Sequence, residues 1–291
     1  MILSSLMLGA ALVVPASSSS CKTKRIFFFG DSFTTSEYEP EGEKPSPAQP
    51  LGNPPFPGRT RSGGINWAGI LTTEQNTSLT LGYNYAFSGG IVDKSIIPGY
   101  FDDIRSFTES IDLWEQTVFD IPYTSEDTLA GVLYGSNDIL SEYWERDQDA
   151  PVGAIVESYI RQLQVLYDAK PGVRYFFAFT EPPLLRAPMI MEEPEEGQAR
   201  IQKSINLFNK YLTAGMAAFA EANPDAIVKL IDSEKPFNEA LDNPGKYGAP
   251  DNTCHNMDGV SCLWWDALHP GIEMHRLMAK EVANAFKGIF F

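Results

Sequence analysis

The chain has few histidines, few cysteines and a shortage of positive charge. Its 291 residues include 3 His, 3 Cys and 22 Lys and Arg against 38 Asp and Glu, which gives a formal net charge of −16. No long basic cluster offsets this charge, and an acidic surface disfavours binding to nucleic acid and to anionic membranes. Small neutral molecules remain as natural partners, so the composition favours an acidic, soluble catalyst.

Several motifs of common hydrolases are missing. The sequence has neither H-E-x-x-H nor C-x-x-C, and its histidines do not share a ligand spacing, so we expect no metal and no other cofactor. A G-x-S-x-G elbow is also missing, which argues against the α/β-hydrolase arrangement. No fixed-period repeat is visible, which argues against solenoids and propellers.

A long apolar run occurs only at the N-terminus. The stretch MILSSLMLGAALVVPASSSS has an apolar run of signal-peptide length followed by small residues, although it lacks the usual Lys or Arg. The run is too short for a comfortable transmembrane span, and no other segment is apolar for long enough. We therefore predict a signal peptide over residues 1–20, a secreted, extracellular protein, and a single domain over residues 21–291.

The cysteines and a glycosylation sequon agree with export. Cys254 and Cys262 bracket a loop short enough for a disulfide to close, and we predict that disulfide. Cys21 is left over near the predicted mature terminus. The sequon Asn76-Thr77-Ser78 lies on a polar stretch, so Asn76 is a predicted glycosylation site.

Short apolar runs alternate with longer amphipathic ones along the chain. This is the pattern of βα units around a parallel sheet. The predicted strands are residues 25–29, 81–86, 128–134, 173–180 and 226–231. The clearest predicted helices are residues 154–169, the stretch after Glu195, and residues 272–286. The fold class is therefore predicted to be α/β, as one three-layer α/β/α domain around a five-stranded parallel sheet.

Polar segments follow three of the predicted strands. The first is Gly30-Asp31-Ser32, the second is NYAFSGG at residues 84–90, and the third is YGSND at residues 134–138. A fourth polar segment, WWDALHP at residues 264–270, precedes the last helix. Because the carboxyl ends of parallel strands share one edge of a sheet, we expect the first three segments to meet there.

These segments contain the parts of a serine esterase. Ser32 could be the nucleophile, His269 could accept its proton, and Asp266 could hold the other nitrogen of the imidazole ring. The backbone N–H groups of Ser32 and Gly89 and the side-chain amide of Asn137 could bind the developing oxyanion. The spacing of three residues between Asp266 and His269 lets both side chains face the same side of a helical turn.

Each of these residues alone has a simpler structural interpretation. Ser32 could cap a helix after the first strand, and Asp266 could be the N-cap of the last helix. Gly89 could be an ordinary turn glycine, and Asn137 could form an Asx turn. The catalytic interpretation depends on their occurrence together, in order, at strand ends and in the C-terminal turn.

The sequence resembles the SGNH (GDSL) hydrolase family. FFGDSFT, NYAFSG, GSND and DALHP are similar to the family's four sequence blocks, and they span nearly the whole mature chain. The resemblance implies a flavodoxin-like fold and a catalytic triad of Ser32, Asp266 and His269. It also implies that Gly89 and Asn137 are oxyanion donors.

One position departs from the family pattern. Gly90 stands where the family often has Ala. The register from Asn84 favours Gly89 as the donor, but Gly90 stays an alternative.

A narrower resemblance is to carbohydrate esterase family sixteen. It is carried by LGNPPFPG, GGINW, TEPPLLRAP and the cysteine-bracketed loop before WWDALHP. These enzymes are secreted acetylesterases, so the resemblance implies removal of acetyl groups from hemicellulose-derived oligosaccharides through an acyl-serine intermediate, by a protein that we expect to be monomeric. Trp264 and Trp265 are candidates for stacking on sugars, with core packing as the alternative.

Two other functions remain open from the sequence. Other branches of the family are lipases, phospholipases or acyltransferases that act on longer-chain lipid esters. The sequence speaks mildly against that activity, since no amphipathic lid with a basic face is visible. A non-catalytic carbohydrate-binding protein on a retained hydrolase fold is the third hypothesis.

Overall fold

The computed structural model describes residues 22–291, so the predicted signal peptide and Cys21 lie outside the described residues. The strands of the sheet are β1 (Lys24–Gly30), β2 (Thr80–Asn84), β3 (Thr128–Leu133), β4 (Tyr175–Phe179) and β5 (Ile227–Ile231). They form one parallel sheet in the order β2-β1-β3-β4-β5. The predicted five-stranded parallel sheet is confirmed.

Helices connect the strands and cover both faces of the sheet. They are α1 (Trp67–Thr73), α2 (Phe107–Thr117), α3 (Ser136–Arg146), α4 (Val152–Asp168), α5 (Pro188–Met191), α6 (Glu195–Ala222), α7 (Glu234–Asp242) and α8 (Ile272–Ala285). Helices α1, α7 and α8 pack together on one face, and α2, α3, α4 and α6 pack on the other. The three-layer α/β/α architecture is therefore confirmed. Within the described residues, no helix is long and apolar enough to cross a bilayer.

The central strand β1 is buried on both faces. Phe27 and Phe29 point to one face, where their rings lie 5.6 Å from Trp114 and 5.4 Å from Phe107 in α2. Phe28 points to the other face, where its ring centroid is 5.3 Å from that of Trp67 in α1. Each buried aromatic side chain stabilises the fold by about 1.5–3 kcal/mol. This packing holds the C-terminal end of β1 rigidly at the carboxyl edge of the sheet, where the strands end.

The segment after β1 is tied to α1 by one side chain. Asn66 is the N-cap of α1, and its Oδ1 accepts a hydrogen bond from the Gly69 N–H at 3.1 Å. Its Nδ2 donates to the carbonyl oxygens of Thr34 and Thr35 at 2.8 and 2.9 Å. The long Pro- and Gly-rich loop between β1 and α1 therefore ends fixed against the turn that carries Ser32.

Candidate active site

The side chains of Ser32, His269 and Asp266 meet at the carboxyl edge of the sheet. Ser32 Oγ lies 2.9 Å from His269 Nε2. His269 Nδ1 lies 2.8 Å from Asp266 Oδ2. A carboxylate only accepts hydrogen bonds, so it favours the tautomer in which Nδ1 carries the proton and Nε2 can accept one. The topology thus brings together residues that are 237 positions apart.

The turn after β1 presents Ser32. A Cβ at Gly30 would lie 2.7 Å from the Leu133 carbonyl oxygen of β3, so only glycine fits there. The Asp31 Oδ1 atom accepts a hydrogen bond from the Phe33 N–H at 3.0 Å, and its carbonyl oxygen accepts from Thr34 N–H at 3.0 Å. No α-helix follows until α1, which Asn66 caps, so the helix-capping interpretation of Ser32 is wrong.

The turn that carries His269 is built on Asp266. Its Oδ1 atom accepts hydrogen bonds from the N–H groups of Leu268 at 2.8 Å and His269 at 2.7 Å. Partial burial acts to raise the pKa of Asp266, but the hydrogen bonds and charge of His269 outweigh it and lower the pKa to about 2. The residue is therefore ionised beside the ring across the ordinary pH range. It does not cap α8, whose N-cap is Gly271, so that alternative is wrong.

The three predicted oxyanion donors follow β1, β2 and β3 along the chain. Asn137 lies in the first turn of α3, and its Nδ2 atom donates to the Gly90 carbonyl oxygen at 3.1 Å and approaches Asp31 Oδ2 at 3.3 Å. Within the described chain, the backbone N–H groups of Ser32 and Gly89 donate to no protein acceptor. The two backbone N–H groups are therefore available for a developing negative charge, whereas the Asn137 amide must release one of its two present acceptors to bind it.

The backbone conformation of Gly89 and the hydrogen bond of the Gly90 N–H indicate which of the two glycines is the oxyanion donor. Gly89 has φ +77°, in the left-handed region that favours glycine. The Gly90 N–H donates to the Phe87 carbonyl oxygen at 2.9 Å, so it already has an acceptor. This arrangement favours Gly89 as the donor.

Buried carboxyl groups lie beneath the candidate site, and two of them escape prediction from the sequence. Asp138 and Glu181 are fully buried, and Asp31 is nearly so. Asp138 Oδ1 accepts from the Val92 N–H at 3.0 Å, and Glu181 Oε2 accepts from Ser136 Oγ at 2.6 Å. In the sequence, Asp138 is the Asp of the GSND segment, and Glu181 is the Glu of the TEPP segment that follows β4. Neither signal reveals burial by itself.

Burial changes the ionisation of these carboxyl groups. It raises the pKa of Asp31 to about 6, and it raises the pKa of both Asp138 and Glu181 to about 8. Ser136, the hydrogen-bond partner of Glu181, is the first residue of α3, so Glu181 braces the turn that presents Asn137.

Within residues 22–291, no group of three or more His, Cys, Asp or Glu could hold a metal ion.

We predict that Glu181→Gln reduces the pH dependence of stability. A carboxyl whose folded pKa is raised loses stabilising free energy as the pH rises through that window, because unfolding lets it ionise. The decrease in unfolding free energy from pH 6 to pH 8 should be about 1–2 kcal/mol smaller in Glu181→Gln than in the unmodified protein. Urea unfolding at both pH values measures this difference.

The control for this prediction is Glu157→Gln, whose side chain is 76% exposed on α4. It should keep the original pH dependence. His275 acts in the opposite sense, since burial lowers its pKa to about 3, but its contribution is common to all three proteins. An unchanged pH dependence in Glu181→Gln would contradict the prediction.

The two tryptophans before Asp266 have different environments. Trp264 is only 1% exposed, packs against Phe237, and donates from Nε1 to the Asn252 carbonyl oxygen at 3.0 Å. The stacking prediction is therefore wrong for Trp264, which is a core residue. Trp265 is half-buried with its ring centroid 6.0 Å from that of His269, so its stacking role stays a prediction.

The predicted disulfide is present between Cys254 and Cys262. Inside its loop, the Asn256 N–H donates to the Trp264 carbonyl oxygen at 3.0 Å, which connects the loop to the chain just before Asp266. The sequon residue Asn76 is half-buried, and its Nδ2 atom donates to the Thr72 carbonyl oxygen at 2.7 Å. Glycosylation there stays a prediction, and it would require this side chain to turn outward.

Comparison with known proteins gives consistent matches in sequence. A family model described as GDSL-like Lipase/Acylhydrolase matches residues 26–282. An acetylesterase from Thermothelomyces thermophilus is 41% identical over 288 residues, which are 97% of this chain and 95% of the relative. A GDSL esterase/lipase from Arabidopsis thaliana is 23% identical over 241 residues, which are 72% of this chain and 63% of that protein.

Solved structures match in fold. An acetylxylan esterase from Geobacillus stearothermophilus superposes with a TM-score of 0.53 at 14% identity, covering 91% of this chain and 94% of its own. A member of the lipolytic protein G-D-S-L family from Veillonella parvula has a TM-score of 0.51 at 16% identity, covering 92% of this chain and 100% of its own. These likenesses support the fold alone.

Proposed function

Because the chain belongs to the GDSL-like lipase/acylhydrolase family, we propose that it is a secreted acetylesterase that removes acetyl groups from hemicellulose-derived oligosaccharides. The observation that carries the proposal is the contact of Ser32 Oγ with His269 Nε2 at 2.9 Å, with Asp266 on the other ring nitrogen. The acetylesterase that is 41% identical over nearly the whole chain supports acetyl as the acyl group that is transferred to Ser32.

The proposed reaction proceeds in two steps on Ser32. His269 Nε2 takes the hydroxyl proton while Ser32 Oγ attacks the ester carbonyl carbon, and ionised Asp266 stabilises the imidazolium that forms. The tetrahedral intermediate places its negative oxygen against the N–H groups of Ser32 and Gly89 and the amide of Asn137. His269 then gives this proton to the departing ester oxygen of the sugar, which leaves as a hydroxyl group. Water, activated by the same ring, releases acetate from the acetyl-serine.

Secretion rests on two features of the chain. The Cys254–Cys262 disulfide is typical of proteins from oxidising compartments. The apolar start of the sequence supports a signal peptide over residues 1–20. We further propose one domain over residues 21–291, a monomeric state, and a glycan on Asn76. N-terminal sequencing of the exported protein should begin near Cys21.

The deciding experiment compares the release of carboxylic acid from three ester substrates. Acetylated xylo-oligosaccharides should be deacetylated faster than polymeric acetylxylan, and triacylglycerol should be the poorest substrate. Equal or greater release of acid from triacylglycerol would contradict the proposal. Binding of sugar with no ester turned over would instead support a non-catalytic binding protein.

The alternative is an acyl hydrolase for longer lipid esters, and one observation favours it. Met257 and Val260 in the disulfide loop are 71% and 68% exposed, and the Trp265 Nε1–H donates to the Met257 carbonyl oxygen at 3.0 Å. An apolar surface thus lies close to His269. Nitrophenyl acetate and nitrophenyl octanoate distinguish the two functions, because a preference for octanoate would favour the lipid substrate.

We predict that Asn137→Ala lowers kcat for nitrophenyl acetate by about 10²–10³-fold, the usual effect of losing one oxyanion donor. The KM should change little, because the lost hydrogen bond forms mainly in the transition state. Asn206→Ala, at an exposed position on α6, is the matched control and should retain full activity. A loss below about fivefold in Asn137→Ala would remove this residue from the oxyanion site.

A further inference from the structure

A cavity of about 380 Å³ lies beside the candidate active site. Thr35, which lines it, is three residues after Ser32, and its Oγ1 donates to the Ala86 carbonyl oxygen at 3.0 Å. Ser88, which also lines it, immediately precedes Gly89. The cavity is thus formed by the segments that follow the nucleophile turn and precede the oxyanion glycine.

The two arginines that form no ion pair within residues 22–291 both line this cavity. Of the ten arginines in the sequence, eight form ion pairs with Asp or Glu side chains. Arg61 and Arg105 form none with residues 22–291, and both line this cavity. Residues 1–21 contain no Asp or Glu, so they offer no carboxylate partner. Two unpaired guanidinium groups together are unexpected in a chain with a net charge of −16.

Arg105 is held in place by its surroundings. Its Nη2 donates to the Tyr85 carbonyl oxygen at 3.1 Å, and its guanidinium carbon lies 5.1 Å from the centre of the Phe87 ring. Its Nε atom is buried and has no acceptor in the described chain. Arg61 is exposed and makes no side-chain hydrogen bond within residues 22–291. The Arg105 guanidinium is therefore fixed in the cavity wall, whereas the Arg61 side chain is exposed and has no hydrogen-bond partner in the described chain.

Two carboxylates also line the cavity, and one of them is already neutralised. Glu37 pairs with Arg59 at 3.3 Å, which leaves Glu39 to oppose Arg61 and Arg105. The four charged side chains that line the cavity sum to zero, and Arg59, which pairs with Glu37 from outside the lining, brings the local charge to +1. This local charge is opposite in sign to that of the whole protein.

We propose that the Arg61–Arg105 cavity binds the carboxylate of an acidic sugar unit next to the acetylated one. A guanidinium group matches a carboxylate with two parallel hydrogen bonds, whereas neutral sugars gain nothing from the charge. A protein with such an excess of negative charge repels acidic oligosaccharides unless a local positive site attracts them. The inference rests on the proposed function, because it gives that same site a preference for uronic-acid-bearing acetylated oligosaccharides.

The first test measures binding without turnover. Calorimetry on the Ser32→Ala protein should show a xylo-oligosaccharide that carries a glucuronic acid binding about five- to tenfold more tightly than the neutral oligosaccharide of the same length. Adding Arg61→Gln should remove that preference, and Arg61→Lys should restore part of it. Arg161→Gln, which makes the same charge change on α4, is the matched control and should keep the preference. Equal affinity for both sugars in the Ser32→Ala protein would overturn the proposal.

The second test separates this inference from the proposed function. With acetylated versions of the two oligosaccharides, Arg61→Gln should raise KM for the acidic one about five- to tenfold, leave its kcat unchanged and leave the neutral one unaffected. Equal effects on both substrates would overturn the cavity's role while acetate release still supports the esterase. If neither substrate releases acetate, the proposed function fails, and the binding measurement alone decides what the cavity binds.

Discussion

Replacing Ser32 by alanine should lower kcat/KM for nitrophenyl acetate by about 10⁴-fold or more. The variant loses the only atom that can form the acyl-enzyme, and His269 Nε2 then has no hydroxyl proton to accept. Residual hydrolysis would come from water attacking an ester carbonyl that the oxyanion donors still polarise. The fold should persist, because removing Ser32 Oγ breaks a single hydrogen bond, the one with His269. Steady-state kinetics together with circular dichroism and thermal unfolding measure both effects.

Ser36→Ala is the matched control, since it makes the same substitution four residues further along the same loop. Ser36 is buried, and its Oγ has no hydrogen-bond partner in the described chain. It should keep activity within a fewfold of the unmodified enzyme. A Ser32→Ala protein that retained more than about one per cent of the activity would exclude Ser32 as the nucleophile.

The strands and the turns that follow them were predictable because each is indicated by a pattern of neighbouring residues. Three consecutive phenylalanines that end in Gly-Asp-Ser indicate a buried parallel strand and a turn, and β1 has that form. The rule that parallel strands end at one edge covered Ser32, Gly89 and Asn137, whereas the meeting of Ser32 with His269 was predicted from the residue types of a serine triad and the resemblance to family blocks. The structure adds the reason for an acid between Gly30 and Ser32. Asp31 uses one oxygen on the Phe33 N–H and approaches Asn137 with the other, so it links the nucleophile turn to the oxyanion amide.

The features that sequence reasoning missed depend on tertiary packing. Trp264 and Trp265 are adjacent and of the same type, yet Trp264 packs into the core against Phe237 while Trp265 stays half-buried beside His269. Likewise, Glu181 looks like an ordinary loop carboxylate, and only the packing of the segment after β4 against α3 shows that it is buried. The pairing of eight arginines, which singles out Arg61 and Arg105, is also a property of the folded chain. Burial and six of the eight arginine pairings are set by residues distant in sequence, so local patterns cannot supply them.

Asp266→Asn should lower kcat by about 10³–10⁴-fold, although the substitution changes almost no volume. Asp266 Oδ1 accepts two backbone N–H groups, from Leu268 and His269, so the amide oxygen of the introduced asparagine must take that place. The amide nitrogen then occupies the position of Oδ2, which lies 2.8 Å from His269 Nδ1. Oδ1 also lies 2.9 Å from Nδ1, but a donor at the nearer Oδ2 position favours the tautomer in which Nδ1 accepts and Nε2 carries the ring proton. His269 would then present a donor to Ser32 Oγ and could not take its proton.

The control for this substitution is Asp258→Asn in the disulfide loop. Asp258 Oδ1 also accepts two backbone N–H groups, from the residues two and three positions ahead, at 2.9 Å each. Asp258→Asn therefore tests the same turn without an imidazole ring, and it should retain activity. Comparable losses in both variants would mean that Asp266 acts by shaping its turn. A loss confined to Asp266→Asn, with an unchanged unfolding temperature, would instead establish that it sets the tautomer of His269.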